Sequence, residues 1–385
     1  MEIYLDNSAT TRCYKEVADL VYKLMLEDYG NPSSMHQKGV DAEKYLRKAQ
    51  EQIAGVMRVK PKEIYFTSGG TESNNWALFG TASAKKRAGK RIITTAIEHS
   101  AIAEPAGRLE AMGYDVVRLP VDGEGYVSMD ALAESLTPDT ILVTVMMVNN
   151  EIGTVEPVAE IGKMVHEKCP KAYFHVDAIQ SFGKFRIYPK RMNIDMLSVS
   201  SHKIHGPKGS GFLYLDERCR IDPIIYGGGQ QNGMRSGTDN VPGAAGTGLA
   251  SEMIYRNLDE NVERMYRLKA HLADGLKQLG QVTVHGPADV RKGAPNILNA
   301  SFIGVRSEVL LHTLEDRGIY VSAGSACSSH HRAPSATLTA VHATAAEIES
   351  SVRFSFSELT TEEEVDTALA VLNEVIPKLR KFVRS

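Results

Sequence analysis

The chain has 385 residues, 43% hydrophobic and 24% charged, with a formal net charge of −3. That length exceeds one ordinary core and predicts roughly two to three domains, or one large α/β domain with a smaller companion. The charge balance excludes a global basic field that would draw nucleic acid or an anionic membrane surface.

The first residues, Met1–Asp6, lack the basic-then-apolar order of a signal peptide. No apolar run reaches the ~18 residues of a transmembrane helix, so none is expected. The four cysteines, Cys13, Cys169, Cys219 and Cys327, are sparse and show no CxxC pairing. That usage fits a reducing, cytoplasmic setting and gives no zinc-ligand spacing, so no metal site is expected.

In chain order, Ile3–Leu5 reads as a short strand, and Lys15–Glu27 and Val40–Val56 as helices by their apolar spacing. Between the helices, Tyr29–Ser34 is a loop by its turn residues. Ile64–Thr67 is a β-rich run ending in Ser68-Gly69-Gly70-Thr71, with a helix predicted from Thr71 to about Ala84. Strand and helix patterns then alternate. Arg91–Thr95, Val116–Pro120, Ile141–Met147, Tyr173–Val176, Ile194–Val199 and Phe212–Leu215 read as strands; Ala101–Met112, Met129–Ser135 and Val158–Cys169 read as helices. Such alternation predicts a mostly parallel sheet covered on both faces, with ligands beyond the carboxyl ends of its strands. The pattern changes near residue 240. A long helix over Leu258–Leu279 opens an α+β region with strands near Asn296–Phe302, Ile319–Ser322 and Val352–Phe356 and helices near Glu308–Arg317 and Glu362–Lys381. The predicted division is a large domain over residues 13–255, and a small domain from residues 1–12 and 256–385.

Five polar clusters follow predicted strands in the large domain. Ser200–Gly211 sets Lys203 on a loop among hydroxyls, imidazoles and glycines. That suits a lysine holding a cofactor aldehyde as a Schiff base, or a solvated basic turn. Gly69-Gly70-Thr71 opens a helix and suits either a phosphate or an ordinary helix cap; it is neither a GxGxxG nor a Walker A sequence, so a nucleotide is not favoured. Asp177, in His175–Gln180, can face a protonated pyridine nitrogen or cap the next helix. His99 can stack on a flat cofactor and move protons, or serve as a structural hydrogen-bonder. Asn149-Asn150-Glu151 is the fifth cluster. Five such clusters point to one cleft at one sheet edge.

Two further features lie in the small domain. Cys327, in Ser325–Ser329, has the small polar neighbours of an exposed, reactive thiol, with His330, His331 and Arg332 close behind; a buried inert role suits Cys13 or Cys169 better. Arg353, in an aromatic strand, suits bidentate carboxylate capture or a surface strand position.

With these residues in hand, the chain resembles the cysteine desulfurases of the NifS/IscS type, within the class V, fold-type I pyridoxal-phosphate enzymes. The resemblance runs nearly end to end. It rests on Tyr4–Thr11, Gly30–Ser34, Thr67–Asn75, Glu98-His99-Ser100, His175–Gln180, Ser200–Gly206, Arg235–Thr238 and Ser322–Cys327. It implies a fold-type I transferase: a seven-stranded, mostly parallel sheet covered by helices, plus a smaller α+β domain carrying the cysteine loop. It implies pyridoxal 5'-phosphate, a Schiff base on Lys203, Asp177 at the pyridine nitrogen, Gln180 at the ring hydroxyl and His99 over the ring. Thr71, Ser200 and His202 would hold the phosphate, and Thr238 would reach the neighbouring subunit's. Asn150 would serve cofactor and substrate, Asn150 and Arg353 would bind the substrate carboxylate, and Cys327 would accept sulfur. The implied activity is conversion of L-cysteine to L-alanine by a cytoplasmic homodimer. The persulfide sulfur would pass from Cys327 to an Fe–S scaffold, tRNA-thiolation or cofactor-synthesis protein, with no direct nucleic-acid or membrane partner.

A selenocysteine lyase or aminotransferase on the same fold stays open, as does a catalytically silent scaffold. Cys327 counts against a transaminase, and the set Lys203, Asp177, His99 and Arg353 against a scaffold. The sequence departs from its relatives at three places. The Ser328–His331 tip is histidine-rich, and His342 and Ser357 stand where relatives often carry glycine. A turn needing φ > 0 at His342 would strain the residue or be reshaped.

Overall fold

The computed structural model describes residues 2–323 and 334–382. The chain opens with strand β1 (Ile3–Tyr4) and helices α1 (Lys15–Leu26) and α2 (Gln37–Met57). It then lays down β2 (Ile64–Thr67), α3 (Gly70–Ala84), β3 (Arg91–Thr95), α4 (Ser100–Ala111), β4 (Asp115–Leu119) and α5 (Met129–Ser135). Next come β5 (Thr140–Met146), α6 (Val158–Lys168), β6 (Tyr173–Asp177), β7 (Met196–Ser200) and β8 (Gly211–Leu215). These strands form one seven-stranded sheet in the order β2-β8-β7-β6-β5-β3-β4. The run β7-β6-β5-β3-β4 is parallel, and β8 is antiparallel to both its neighbours. Two reversals cancel, so β2 runs with β7. The carboxyl ends of β2, β3, β5, β6 and β7 therefore meet at one edge, the place where open α/β sheets bind ligands. Strand β5, Thr-Ile-Leu-Val-Thr-Val-Met, is buried along its whole length, because helices cover both faces.

Helix α7 (Val241–Arg256) escapes the apolar-period reading. Its buried residues are mostly glycine, alanine, serine and threonine, with Ile254 and Tyr255 near its end. A Cβ on Gly248 would lie 2.6 Å from Ala49 Cα, so α7 and α2 touch through backbone. Small residues on several sides erase the 3.6-residue contrast that marks an amphipathic helix.

Helix α8 (Leu258–Lys277) leads to β9 (Val282–His285), β10 (Ile297–Phe302), α9 (Ser307–Glu315), β11 (Ile319–Tyr320), β12 (Ser322–Ala323), α10 (Ala336–Ala340), α11 (Ala345–Glu349), β13 (Ser351–Ser355) and α12 (Glu362–Phe382). An antiparallel sheet, β12-β13-β10-β9, backs a second core in which Ile3 and Leu5 pack with Leu268, Leu310, Phe354 and Leu372. The single strand expected over residues 319–322 is two. Strand β11 pairs with β1, and after Val321 the chain joins β13 as β12. Leu258, Ala294 and Ile297 pack instead with the first core, and Leu338 and Val341 pack on Ile97 and Ile152.

His342 does adopt the left-handed backbone that its turn demands, at φ +62°. Ser357 instead closes its turn with its hydroxyl, which accepts from Leu359 N at 3.2 Å.

Candidate active site

The five strand ends line one cavity of about 240 Å³. Its walls include Thr71, His99, Asn150, Asp177, Gln180, Ser200, His202 and Lys203, with Gly70, Met146 and Ile179 as floor and filler. A wider mouth beside it shares Gly70, Thr71, Ser200 and His202 and adds Ser68, Gly69 and Lys208. Thr238 is exposed on the loop before α7 and is not among the lining residues. Cys327, with Ser325–His331 and Arg332, lies outside the described residues.

Lys203 ends a single tight turn, Ser201–Lys203, directly after β7. Its ammonium donates to the carbonyls of Ser8 and, at 2.8 Å, Ala9, so the N-terminal segment wraps the lysine. Gln180 Nε2 also donates to the Ser8 carbonyl, at 3.0 Å. Ser8 itself is tied to β13 through its N–H, which donates to Ser355 Oγ at 2.8 Å.

Asp177 ends β6 and is fully buried. Its Oδ1 accepts from Ile179 N at 3.0 Å and its Oδ2 from Asn74 Nδ2 at 2.7 Å. Burial pushes the carboxyl up, while those donors and the nearby His99 and Lys203 pull it down. A carboxylate held in a cavity by neutral donors is a ready partner for a protonated ring nitrogen.

His99 caps α4, and its Nδ1 accepts from Ala101 N at 3.1 Å. That bond places the ring proton on Nε2. Burial lowers its pKa, against the pull of Asp177, so the ring is neutral at physiological pH. His202 Nδ1 lies 3.1 Å from Thr10 Oγ1, and burial, with the charges of Lys203 and Lys208, brings its pKa down to about 4.

The N-terminus of α3 completes the mouth. Gly69 takes φ +144°, open only to glycine, and delivers the free N–H groups of the first helical turn beside Thr71. Glu72 braces this turn: it accepts from Ser68 N at 2.9 Å and pairs with Arg235 at 2.9 Å. Arg353, on β13, donates to the Asn150 carbonyl at 2.8 Å and to Asp6 at 2.9 Å, and its buried Nε has no partner among the described residues.

Sequence reasoning left Asn74, Ser8, Ala9, Glu72 and Arg235 without roles. Asn74 sits one helical turn after Gly70, the one signal available. The positions of Ser8 and Ala9 follow from a chain reversal that no local pattern shows.

A class-V aminotransferase family model matches residues 3–368. A cysteine desulfurase IscS of Clostridium botulinum is 42% identical over 382 residues, 99% of this chain and 96% of that protein. A solved NifS-like protein superposes with a TM-score of 0.93 at 38% identity, covering 98% of this chain and 100% of its own. A second solved structure, of SspA in complex with cysteine, gives 0.79 at 32% identity over 93% of this chain and 100% of its own. The chain belongs to the class-V aminotransferases, in their cysteine desulfurase branch. Pyridoxal 5'-phosphate is the cofactor of this family and of this desulfurase. The donor set fits it. A buried acid, a neutral imidazole, a lysine and a helix N-terminus match a pyridine nitrogen, a ring face, an aldehyde and a phosphate. Glycine at position 70 keeps that floor low, since a Cβ there would meet Ile179 Cδ1 at 2.1 Å.

Proposed function

We propose that this desulfurase takes free L-cysteine, releases L-alanine and passes the sulfur on as a persulfide of Cys327. The observation that carries the site assignment is the single cavity that gathers Lys203, Asp177, His99 and Thr71. Lys203 holds the cofactor and then carries the substrate's α-proton. Asp177 keeps the ring nitrogen protonated, with Asn74 and Ile179 N holding the carboxylate in place. Neutral His99, with its proton on Nε2, would lie against the cofactor ring and could exchange a proton at Nε2. Thr71, Ser200 and His202 would hold the phosphate, and Gln180 would meet the ring hydroxyl. Asn150 and Arg353 receive the substrate carboxylate, which competes with Asp6 for the guanidinium. When bound, pyridoxal phosphate withdraws electrons from the substrate's α-carbon. The Cys327 thiolate attacks the substrate sulfur, the carbon–sulfur bond breaks, and the β-carbon takes a proton to become the alanine methyl. The sulfur stays on Cys327 until an acceptor protein removes it, for Fe–S assembly, tRNA thiolation or cofactor synthesis.

The working assembly is a homodimer, with residues 13–255 and the 1–12 plus 256–385 unit as its two domains. Tyr22, Met25, Leu26 and Tyr29 form an exposed apolar stripe along α1 and the loop after it, which supports a buried role against a second copy. Thr238 is then assigned to the neighbouring subunit's phosphate. No helix among the described residues is long and apolar enough to cross a membrane, and a cytoplasmic setting is part of the same proposal.

Anaerobic incubation with L-cysteine, with alanine quantified and the persulfide mapped by mass spectrometry, tests this reading. One alanine should appear per sulfur transferred, with the persulfide on Cys327, and Cys327→Ala should form none. Full turnover by Cys327→Ala would remove Cys327 from the mechanism.

A further inference from the structure

We propose that Glu358 is a positioning residue for Lys203, acting through His205. The proposal rests on the reading of Lys203 as the cofactor lysine. Immediately after the Lys203 turn the backbone enters the left-handed region at His205, φ +62°. For a bulky side chain that conformation is strained and persists only where the surroundings over-determine it.

They do so here. His205 is fully buried. Its N–H donates to Thr11 Oγ1 at 2.7 Å, and its carbonyl accepts from Tyr14 N at 3.0 Å. Its Nδ1 meets the Arg12 carbonyl at 2.7 Å and its Nε2 meets Glu358 Oε2 at 3.1 Å. Each ring nitrogen thus faces an acceptor, a carbonyl on one side and a carboxylate on the other. The ring also stacks on Tyr14, centroids 4.5 Å apart, and the Tyr14 hydroxyl donates to the other Glu358 oxygen.

Burial works against the charge of Glu358, but the hydrogen bond and charge of His205, with Lys184 and Tyr14, hold its pKa at about 2. Lys184 is itself buried and reaches the Lys203 carbonyl at 3.5 Å. The carboxylate thus pairs with His205, which fixes the turn after the cofactor lysine, and attracts through space the charge of Lys184, whose ammonium reaches the lysine's peptide oxygen. Glu358 is delivered by the turn after β13, closed by Ser357 N donating to Thr360 Oγ1 at 3.0 Å. Strand β13 also carries Arg353. One strand and its turn therefore place both the guanidinium at Asn150 and the pin of the Lys203 loop.

The test compares wild type with Glu358→Gln, His205→Asn and Lys203→Ala. Glutamine keeps the shape and loses the charge; asparagine tolerates the left-handed backbone but loses the pair. Apoprotein is mixed with pyridoxal phosphate. Borohydride then traps the lysine–cofactor bond, which forms with loss of water, and peptide mass maps it. The pH midpoint of the linked cofactor's visible band, and kcat and KM for L-cysteine, are measured alongside. Both pair variants should bind cofactor yet form the Lys203 bond about 10-fold more slowly, move the midpoint, and lose about 10-fold in kcat with KM within about 2-fold. Unchanged bond formation and midpoint, with only a lower melting temperature, would overturn the proposal. If Glu358→Gln fails to fold, Tyr14→Phe removes one anchor of the carboxylate while keeping the His205 pair. The same shifts, smaller, are then expected, and none at all would overturn the proposal. A trapped bond in Lys203→Ala at wild-type yield defeats the lysine assignment itself, a different result from a normal Glu358→Gln.

Discussion

Asn74 Nδ2 donates to Asp177 Oδ2 at 2.7 Å, joining the second turn of α3 to the end of β6 beneath the cofactor cavity. Both side chains are buried, and the only other hydrogen bond described for the carboxylate comes from Ile179 N. Asn74→Leu keeps the volume and deletes the donor. Leaving a buried charged acceptor short of one partner costs about 1–3 kcal/mol. A carboxylate that then takes up a proton no longer holds the ring nitrogen charged. Titration of the apoprotein with pyridoxal phosphate should show about 5- to 150-fold weaker binding, since 1.4 kcal/mol is a factor of ten. Unaltered affinity would show that Asp177 needs no such support.

Gly211 opens β8 against the turn that carries Gly69. A Cβ there would lie 2.4 Å from the Val199 carbonyl oxygen and 2.8 Å from Gly69 Cα, backbone on both counts. Neither neighbour moves without parting β7 from β8 or shifting the start of α3. Gly211→Ala should therefore lose at least about 2 kcal/mol of stability in urea unfolding, and cofactor retention with it. Gly107, inside α4 with open space around its Cα, is the contrast. Gly107→Ala should gain up to about 1 kcal/mol and leave cofactor binding alone.

Much of this architecture is written locally. Arg91–Thr95 and Met129–Ser135 fall where alternation and helical spacing put them. His99, Asp177 and Lys203 meet because each follows a strand of the same sheet and those strands run the same way. What local patterns miss is contact carried by small residues or by chain reversal. Helix α7 packs through glycine and alanine, so its apolar contrast is flat. The Lys203 ammonium rests on Ser8 and Ala9 carbonyls, atoms that carry no residue-type signal at all. The 319–322 strand splits because a short apolar run reads the same whichever sheet it joins.

Glu156 gives the pH dependence of stability a definite sign. Its Oε2 accepts from Val127 N at 3.1 Å, while its Oε1 is buried without a partner among the described residues. Burial raises its pKa from 4.5 to about 8. The folded state thus holds a proton that the unfolded chain releases above its ordinary carboxylate pKa. The stability this contributes is fully present below about pH 4.5 and is lost as pH rises through about 8. Glu156→Gln mimics the protonated form at every pH. Urea unfolding across that window should show the variant gaining on wild type by up to about 1.4 kcal/mol per pH unit. Parallel curves for the two proteins would place the Glu156 carboxylate in contact with water.

Arg353 offers the sharpest separation of binding from chemistry. Its guanidinium is shared between the Asn150 carbonyl and Asp6, and the side chain is almost wholly buried, 6% exposed against 20% for Asp6. On the proposed reading, an incoming substrate carboxylate would use the planar fork of the guanidinium and would displace or share the Asp6 contact. Arg353→Lys keeps a charge but loses the fork, so KM for L-cysteine should rise about 10-fold or more while kcat falls less. Asp6→Asn removes the internal competitor and should lower KM, although Asp6 also helps hold the guanidinium in place. If KM rises in Asp6→Asn as steeply as in Arg353→Lys, that ordering role outweighs the competition. If KM moves in neither variant, the carboxylate is bound elsewhere. Steady-state kinetics on the two variants and their double mutant measure the coupling directly, because residues in contact depart from additivity by about 0.5–3 kcal/mol.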